Sequence, residues 1–376
     1  MRPIALLLIL AGLLAAAPAA DAGKRRAPRG FYGVMWDGSI MRASQSVRDA
    51  QWNLMARSGV ESVRTVFSWE AAQPHLSDGF DHTLTDRIVA RAVSRRIKVL
   101  PVVLDTPGWA RRYAHRASPP RYTNEYAGYL EALVERYGPK GSFWRLRPDL
   151  PRRPIRHWQI WNEPHLRYRW YTPKDSPARW PRGYVALLRE SARAIRRLDP
   201  KAKIVLAGFT NDSWTRLVEF YRARGRRWFD IGAIQSYTAH PRDALKAVRL
   251  YRRIMRKRGD RRKPLWATEI GWPAAEGRIK VRREQQTLVT HDHGMASRLR
   301  RVYGALVKRR RKVQYRVTRV FWYTWTSRYR GGDIFDYAGL GSFAGGEFDS
   351  KLALTTYRRS ARRWQGCAKT ELGRCR

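Results

Sequence analysis

Trp158-Gln159-Ile160-Trp161-Asn162-Glu163-Pro164-His165 is an apolar, aromatic run that stops on an amide, a carboxyl and a proline. Proline cannot donate to a sheet ladder, so a buried strand that reaches Asn-Glu-Pro must end there and present its last polar groups at its tip. A second run of the same kind, Pro264-Leu265-Trp266-Ala267-Thr268-Glu269-Ile270-Gly271-Trp272-Pro273, follows later in the chain and delivers Glu269 beside Gly-Trp-Pro. Two carboxyls at two strand ends set the frame for everything between them.

Outward from these runs, apolar segments alternate with helical stripes along the whole chain. Phe31 to Asp37 is the first strand, with Trp36 and Asp37 at its C-terminal end, and Ser46 to Arg57 the helix after it. Further strands are expected at Ser62 to Phe67, Ile97 to Leu104, from Ile155, Lys203 to Ala207, Asp230 to Ser236, Pro264 to Glu269 and Val317 to Tyr323. Between them, Tyr126, Tyr129, Leu130, Leu133, Val134 and Tyr137 repeat at helical spacing, as do Tyr184, Leu187, Leu188, Ala192, Ile195 and Leu198. Other helices are expected at Leu84 to Arg95, Trp214 to Arg222, Ala244 to Arg258, a broken one over Gln285 to Arg309, and Ser350 to Arg363. Eight strand-helix alternations without a phosphate-binding glycine turn predict an α/β fold of the closed kind, a (β/α)8 TIM barrel with enlarged βα loops. Gly339-Leu340-Gly341-Ser342-Phe343-Ala344 lacks a helix start and reads as a flexible loop.

The chain opens with Arg2, an apolar run from Ile4 to Leu14 and small residues to Ala22, the layout of a secretory signal peptide over 1–22. No later apolar run approaches the ~18 to 20 residues needed to span a bilayer, so no membrane span is expected after cleavage. Residues 23–376 then make one secreted domain, longer than the ~250 residues of a bare barrel. Cys367 and Cys375 are the two cysteines, and in an exported chain they predict a disulfide closing a short C-terminal tail. Their spacing matches no metal pattern, and neither a metal nor an organic cofactor is expected. A formal charge of +45 would draw anionic polymers in a salt-dependent way. The arginines are spread over nearly every helix, so solvated outer faces explain them better than a specific nucleic-acid surface.

Cleaving a glycosidic bond requires a proton on the leaving oxygen and negative charge against an oxocarbenium-like centre, which is work for one protonated and one ionised carboxyl. With Trp-Asn-Glu-Pro and Thr-Glu-Ile-Gly-Trp-Pro on strands 4 and 7, the chain resembles clan A of the glycoside hydrolases, nearest to families 39 and 5. That resemblance implies a retaining glycosidase acting on an oligo- or polysaccharide, with Glu163 as acid/base and Glu269 as nucleophile. It further implies that Asn162 binds the sugar 2-hydroxyl, and that Arg64 on strand 2 and Tyr237 after strand 6 bond to the nucleophile. Independently of any family, Arg64 lies inside an apolar strand and needs a carboxylate nearby, because a buried unpaired charge is costly. Trp36, Trp69, Trp109, Trp170, Tyr171, Trp272 and Trp325 fall just past strand ends, where flat rings could stack on sugars; Trp325 is taken as the floor of the site. Each of them could equally be core packing. His240 is a further substrate-binding candidate, with a structural histidine as the alternative. A barrel that binds carbohydrate or cell wall without cleaving it is the competing function, since fold alone does not confer catalysis.

Overall fold

The computed structural model describes residues 24–210 and 212–367. Eight parallel strands form the central sheet: β1 (Tyr32–Met35), β2 (Ser62–Ser68), β3 (Lys98–Leu104), β4 (His157–Ile160), β5 (Lys203–Val205), β6 (Gly232–Ser236), β7 (Leu265–Ile270) and β8 (Val317–Trp322). They are ordered β5-β4-β3-β2-β1-β8-β7-β6, so every strand lies beside its neighbours in sequence. Parallel bridges Val205 to Ile231 and Phe209 to Ile234 join the remaining two edges and close the barrel. Strands buried on both faces cannot alternate polar with apolar, which is why they read as short, mainly apolar runs.

Each strand is followed by a helix of the outer ring: α1 (Gln45–Arg57), α2 (Thr83–Ser94), α3 (Thr123–Tyr137), α4 (Arg182–Leu198), α5 (Ser213–Arg222), α6 (Pro241–Lys257), α7 (Asp292–Arg309) and α8 (Leu352–Gln365). The stripe on α3 is the one expected, with Tyr126, Tyr129, Leu130, Leu133, Val134 and Tyr137 all buried. The helix expected to be broken over Gln285 to Arg309 is a 3-10 turn over Arg283–Leu288 followed by α7, which His291 caps by accepting from the Gly294 amide at 3.2 Å. Among the described residues, no group of three His, Cys, Asp or Glu could hold a metal ion, and no helix is long and apolar enough to cross a membrane.

One expectation fails. The segment read as a flexible loop is β-structure, because Gly341–Ala344 forms β10 of a three-stranded sheet between β9 (Thr326–Ser327) and β11 (Glu347–Ser350). Alternation explains it: Gly341 and Phe343 are buried while Ser342 and Ala344 are half-buried, the period-two signature of a strand. Two glycines masked that pattern. Cys367 is disulfide-bonded, whereas Cys375 and the leader 1–22 lie outside the described residues.

Candidate active site

Glu163 stands just past β4 and Glu269 within the last turn of β7, both at the C-terminal mouth of the barrel. The backbone bends sharply to place Glu163. Trp161 and Glu163 take left-handed φ values of 64° and 47°, a conformation that costs a non-glycine residue of order 1 kcal/mol or more and tends to persist where function requires it. Pairing to both flanking strands holds this bend, since the Trp161 amide donates to the Val103 carbonyl at 3.0 Å and the Glu163 amide to the Ala207 carbonyl at 3.3 Å.

Glu269 is held by three donors. Its Oε1 accepts from Arg64 Nη1 at 2.7 Å and from Gln235 Nε2 at 2.8 Å, and its Oε2 accepts from the Tyr237 hydroxyl at 2.5 Å. The three bonds fix the side chain's orientation. Burial and the Glu269 charge push the Tyr237 phenol well above its ordinary value, so it remains a donor. Arg64, 1% exposed, spends its other nitrogens on Asn162 Oδ1 at 2.7 Å and Gln159 Oε1 at 2.9 Å. Gln235 Nε2 also donates to Asn162 Oδ1, at 2.7 Å. With its oxygen taken twice, Asn162 keeps its amide N–H groups for a ligand. Gly208, at φ +76°, is bare because a Cβ there would stand 2.9 Å from Gln235 Nε2.

Arg64 therefore ties the two glutamate motifs together, and removing it should be severe. Arg64→Met is expected to destabilise the fold by about 3 to 5 kcal/mol, because it removes the buried cation that pairs with the Glu269 carboxylate and leaves the Gln159 amide oxygen without its donor. Arg64→Lys keeps the charge but not the planar fork, so it should fold more stably than the Met variant but less stably than the wild type. Urea unfolding of both variants checks the order; equal stabilities would contradict it.

Glu163 is in the opposite condition. Only 6% exposed, it is pushed up to about 8 by burial and then by the Glu269 charge, against the opposing pull of Arg169 and Arg64. The Arg169 guanidinium is 3.8 Å from its Oε2 and itself half exposed. Near neutral pH one carboxyl of the pair thus keeps a proton. A stability consequence follows from linkage. The folded chain holds that proton up to about 8, whereas the unfolded chain releases it near 4.5. The contribution is complete below the lower value and is lost as pH rises through the upper one. Glu163→Gln should accordingly gain in Tm on the wild type between pH 5 and about 8. Parallel Tm profiles for the two proteins would contradict the assignment.

Several residues at the mouth carried no role in the sequence reading. Asp37, at the tip of β1, accepts from Thr324 Oγ1 at 2.5 Å, and burial pushes it up to about 6. The Asp37 charge, then burial, raises the Tyr323 phenol. Tyr323 meets Tyr237 edge-on at 6.2 Å between ring centres. The phenol of Tyr168, a ring that is 64% exposed and lies under the Arg169 guanidinium at 5.6 Å, is raised by burial and then by the Glu163 and Glu269 charges.

The aromatic lining needs correction. Trp325 is fully buried, with its indole nitrogen donating to Gln51 Oε1 at 3.0 Å and its ring stacked on Phe348, so it is not the floor of a substrate site. Alternation of faces holds only while the chain stays extended, and β8 ends at Trp322, three residues earlier. Trp36 is also core: it is 1% exposed and packs on Trp52 of α1 at 5.4 Å. Trp69, Trp170 and Trp272 are buried too. Trp109 is half-buried, donating to the Gln73 carbonyl at 3.2 Å. His240 is exposed at the start of α6, in a cavity of about 490 Å³ with Glu276 and Arg298. Among the described residues no hydrogen bond or ion pair joins His240 to either glutamate.

The fold recurs in solved glycoside hydrolases. A family 39 glycoside hydrolase from the gut symbiont Bacteroides cellulosilyticus WH2 superposes with a TM-score of 0.68 at 18% identity, over 90% of this chain and 64% of that one. This chain therefore spans a little under two thirds of that protein. A GH39 beta-xylosidase from Caulobacter crescentus gives 0.62 at 18% identity, over 90% of this chain and 73% of the other. The GH5_18 protein from Streptomyces cattleya, solved with GlcNAc, gives 0.65 at 18% identity, over 93% and 83%. No family model matches the sequence, and no curated protein does. The barrel is the shared property, and its neighbours are clan A enzymes, as the Trp-Asn-Glu-Pro motif suggested.

Proposed function

We propose that this protein is an exported retaining glycoside hydrolase acting on an oligo- or polysaccharide. The observation that carries the reading is the division of labour between two carboxyls at one barrel mouth: Glu269 accepts three hydrogen bonds, while Glu163 is pushed up to about 8. In this mechanism Glu163 donates its proton to the glycosidic oxygen as Glu269 attacks the anomeric carbon, giving a glycosyl-enzyme ester and a free alcohol. Glu163, now ionised, takes a proton from water, which attacks the same carbon and releases Glu269. Asn162 offers its N–H to the sugar 2-hydroxyl, a bond that strengthens as positive charge develops at the neighbouring carbon. Arg64, Gln235 and Tyr237 hold the nucleophile's orientation through both steps.

Glycoside-hydrolase neighbours of the same fold support the substrate class, and the beta-xylosidase among them makes xylosides the first compounds to try. Export rests on the leader-like start and agrees with the disulfide at Cys367, a bond that persists in oxidising compartments. Hydrolysis of a panel of aryl glycosides, with xylo-, gluco-, manno- and galacto-configured members, tests the reading. Release of aryl alcohol from at least one is expected. Glycan binding with no release across the whole panel would favour a non-catalytic carbohydrate-binding barrel instead.

A further inference from the structure

The helices α7 and α8 pack side by side in the outer ring and leave a groove of about 770 Å³ between them. Its lining includes Arg300, Arg301, Lys308, Arg309, Arg359 and Arg363 and no acidic residue. None of the six forms an ion pair with a described residue, although surface arginines elsewhere, such as Arg91, Arg136 and Arg216, do. The floor is kept low by small side chains. A Cβ on Gly304 would meet nothing nearer than the Trp364 ring, at 3.8 Å. That ring is 5% exposed and is itself covered by the guanidinium of Arg363 at 5.2 Å and of Arg26 at 5.0 Å. From His293 to Lys308 the groove follows α7 for about 22 Å at 1.5 Å per residue. A linear reading spreads these cations over separate helices; the fold gathers them on one concave strip.

We propose that this groove is a binding site for a strand of acidic polysaccharide, separate from the barrel mouth where Glu163 and Glu269 stand. Charge complementarity selects a polyanion, and shape narrows the choice. A single-stranded nucleic acid binds best where a row of exposed rings stacks on successive bases, and here the one tryptophan of the lining is buried and His293 is the single exposed ring. A duplex is entered by a convex helix, whereas this surface is concave. An anionic membrane also asks for apolar side chains to insert, and of the two large apolar residues here Trp364 is 5% exposed and Leu352 40% exposed. A slender carboxylated or sulfated glycan fits a long, narrow, cationic channel, a choice that rests on the carbohydrate function proposed above. Such a site would hold the enzyme on its polymer while the barrel mouth works on another part of it, raising the local substrate concentration.

The test uses the full-length protein and measures binding, which does not depend on turnover. In one variant Arg300, Arg301, Lys308 and Arg359 are all changed to Gln; in a control Arg249, Arg253, Arg256 and Lys257 on α6 are changed to Gln, removing the same charge from another exposed face. Polygalacturonate and heparin serve as the carboxylated and sulfated probes, with neutral xylan, duplex DNA and phosphatidylserine vesicles beside them. The groove variant is expected to bind polygalacturonate or heparin about 30-fold more weakly at physiological salt, while the control loses under about threefold. Loss on one acidic probe alone would identify which anionic group is recognised. Unchanged Tm and unchanged aryl-glycoside turnover in the groove variant would exclude misfolding and damage at the barrel mouth. Equal losses in the two variants would overturn the proposal in favour of bulk charge. A loss confined to DNA or vesicles would overturn the choice of a polysaccharide. Failure to hydrolyse any glycoside would count against the catalytic reading alone.

Discussion

Changing Glu269 to alanine should reduce turnover by on the order of 10⁴-fold or more, because no other group can form the covalent bond that divides the reaction into two easier steps. The residue is fixed from three sides, by Arg64, Gln235 and Tyr237, so its oxygens approach a substrate in one orientation. Truncation leaves a small cavity lined by the same donors. Azide or formate can enter that space, bind the orphaned Arg64 and attack the anomeric carbon in place of the carboxylate. Added azide should therefore restore a measurable rate and yield a glycosyl azide of inverted configuration. The variant leaves Arg64 buried without its carboxylate, so it should lose stability that added azide partly restores. An alanine variant with wild-type turnover, or with a defect that azide does not relieve, would remove Glu269 from the role of nucleophile.

Glu163→Ala should lose activity in a way that depends on the substrate. Where the leaving alcohol is poor, bond cleavage needs the proton, and turnover should drop by about 10² to 10⁴-fold, the range of general acid catalysis. Where it is a good leaving group, such as a dinitrophenolate, the first step survives and the glycosyl-enzyme accumulates, because no base remains to activate water. A burst of phenolate followed by slow turnover is the expected trace. The pH dependence should change as well. For the wild type, activity on poor leaving groups should decline as pH rises through about 8, where Glu163 gives up its proton. The alanine variant should lack that limb. An unchanged alkaline limb would mean that another group carries the proton.

The sequence reveals a residue's role most clearly when a polar side chain interrupts an apolar strand. Arg64 stands out for that reason, and its need for a carboxylate is met by Glu269. Gln159 and Gln235 carry the same signal, each a polar residue inside a buried strand, and each turns out to be part of the same hydrogen-bonded network. Reading them with the rule applied to Arg64 would have found both. Asp37 and Tyr323 are harder to read, because they sit where strands give way to turns and side-chain direction no longer follows a period of two. The tryptophans mislead for a different reason. A large ring past a strand end can roll back into the core as readily as face the solvent, and Trp36 does so onto Trp52 of α1, Trp325 onto Phe348 of β11 and Gln51 of α1. Burial of that much apolar area outweighs any bias from position along the strand. The open ring at the mouth, Tyr168, lies instead in a basic loop with no regular pattern to announce it.

Arg64 and Gln235 bond at once to Asn162, the neighbour of Glu163, and to Glu269, so the pair cannot drift apart without breaking four hydrogen bonds. The double displacement proposed here needs the two carboxyls close together, while inversion needs room for a water between carboxyl and sugar. The most direct test is the anomeric configuration of the first-formed sugar, followed by proton NMR within minutes of mixing the protein with the aryl glycoside it cleaves fastest. Retention of the starting configuration is predicted, and an inverted first product would contradict the account.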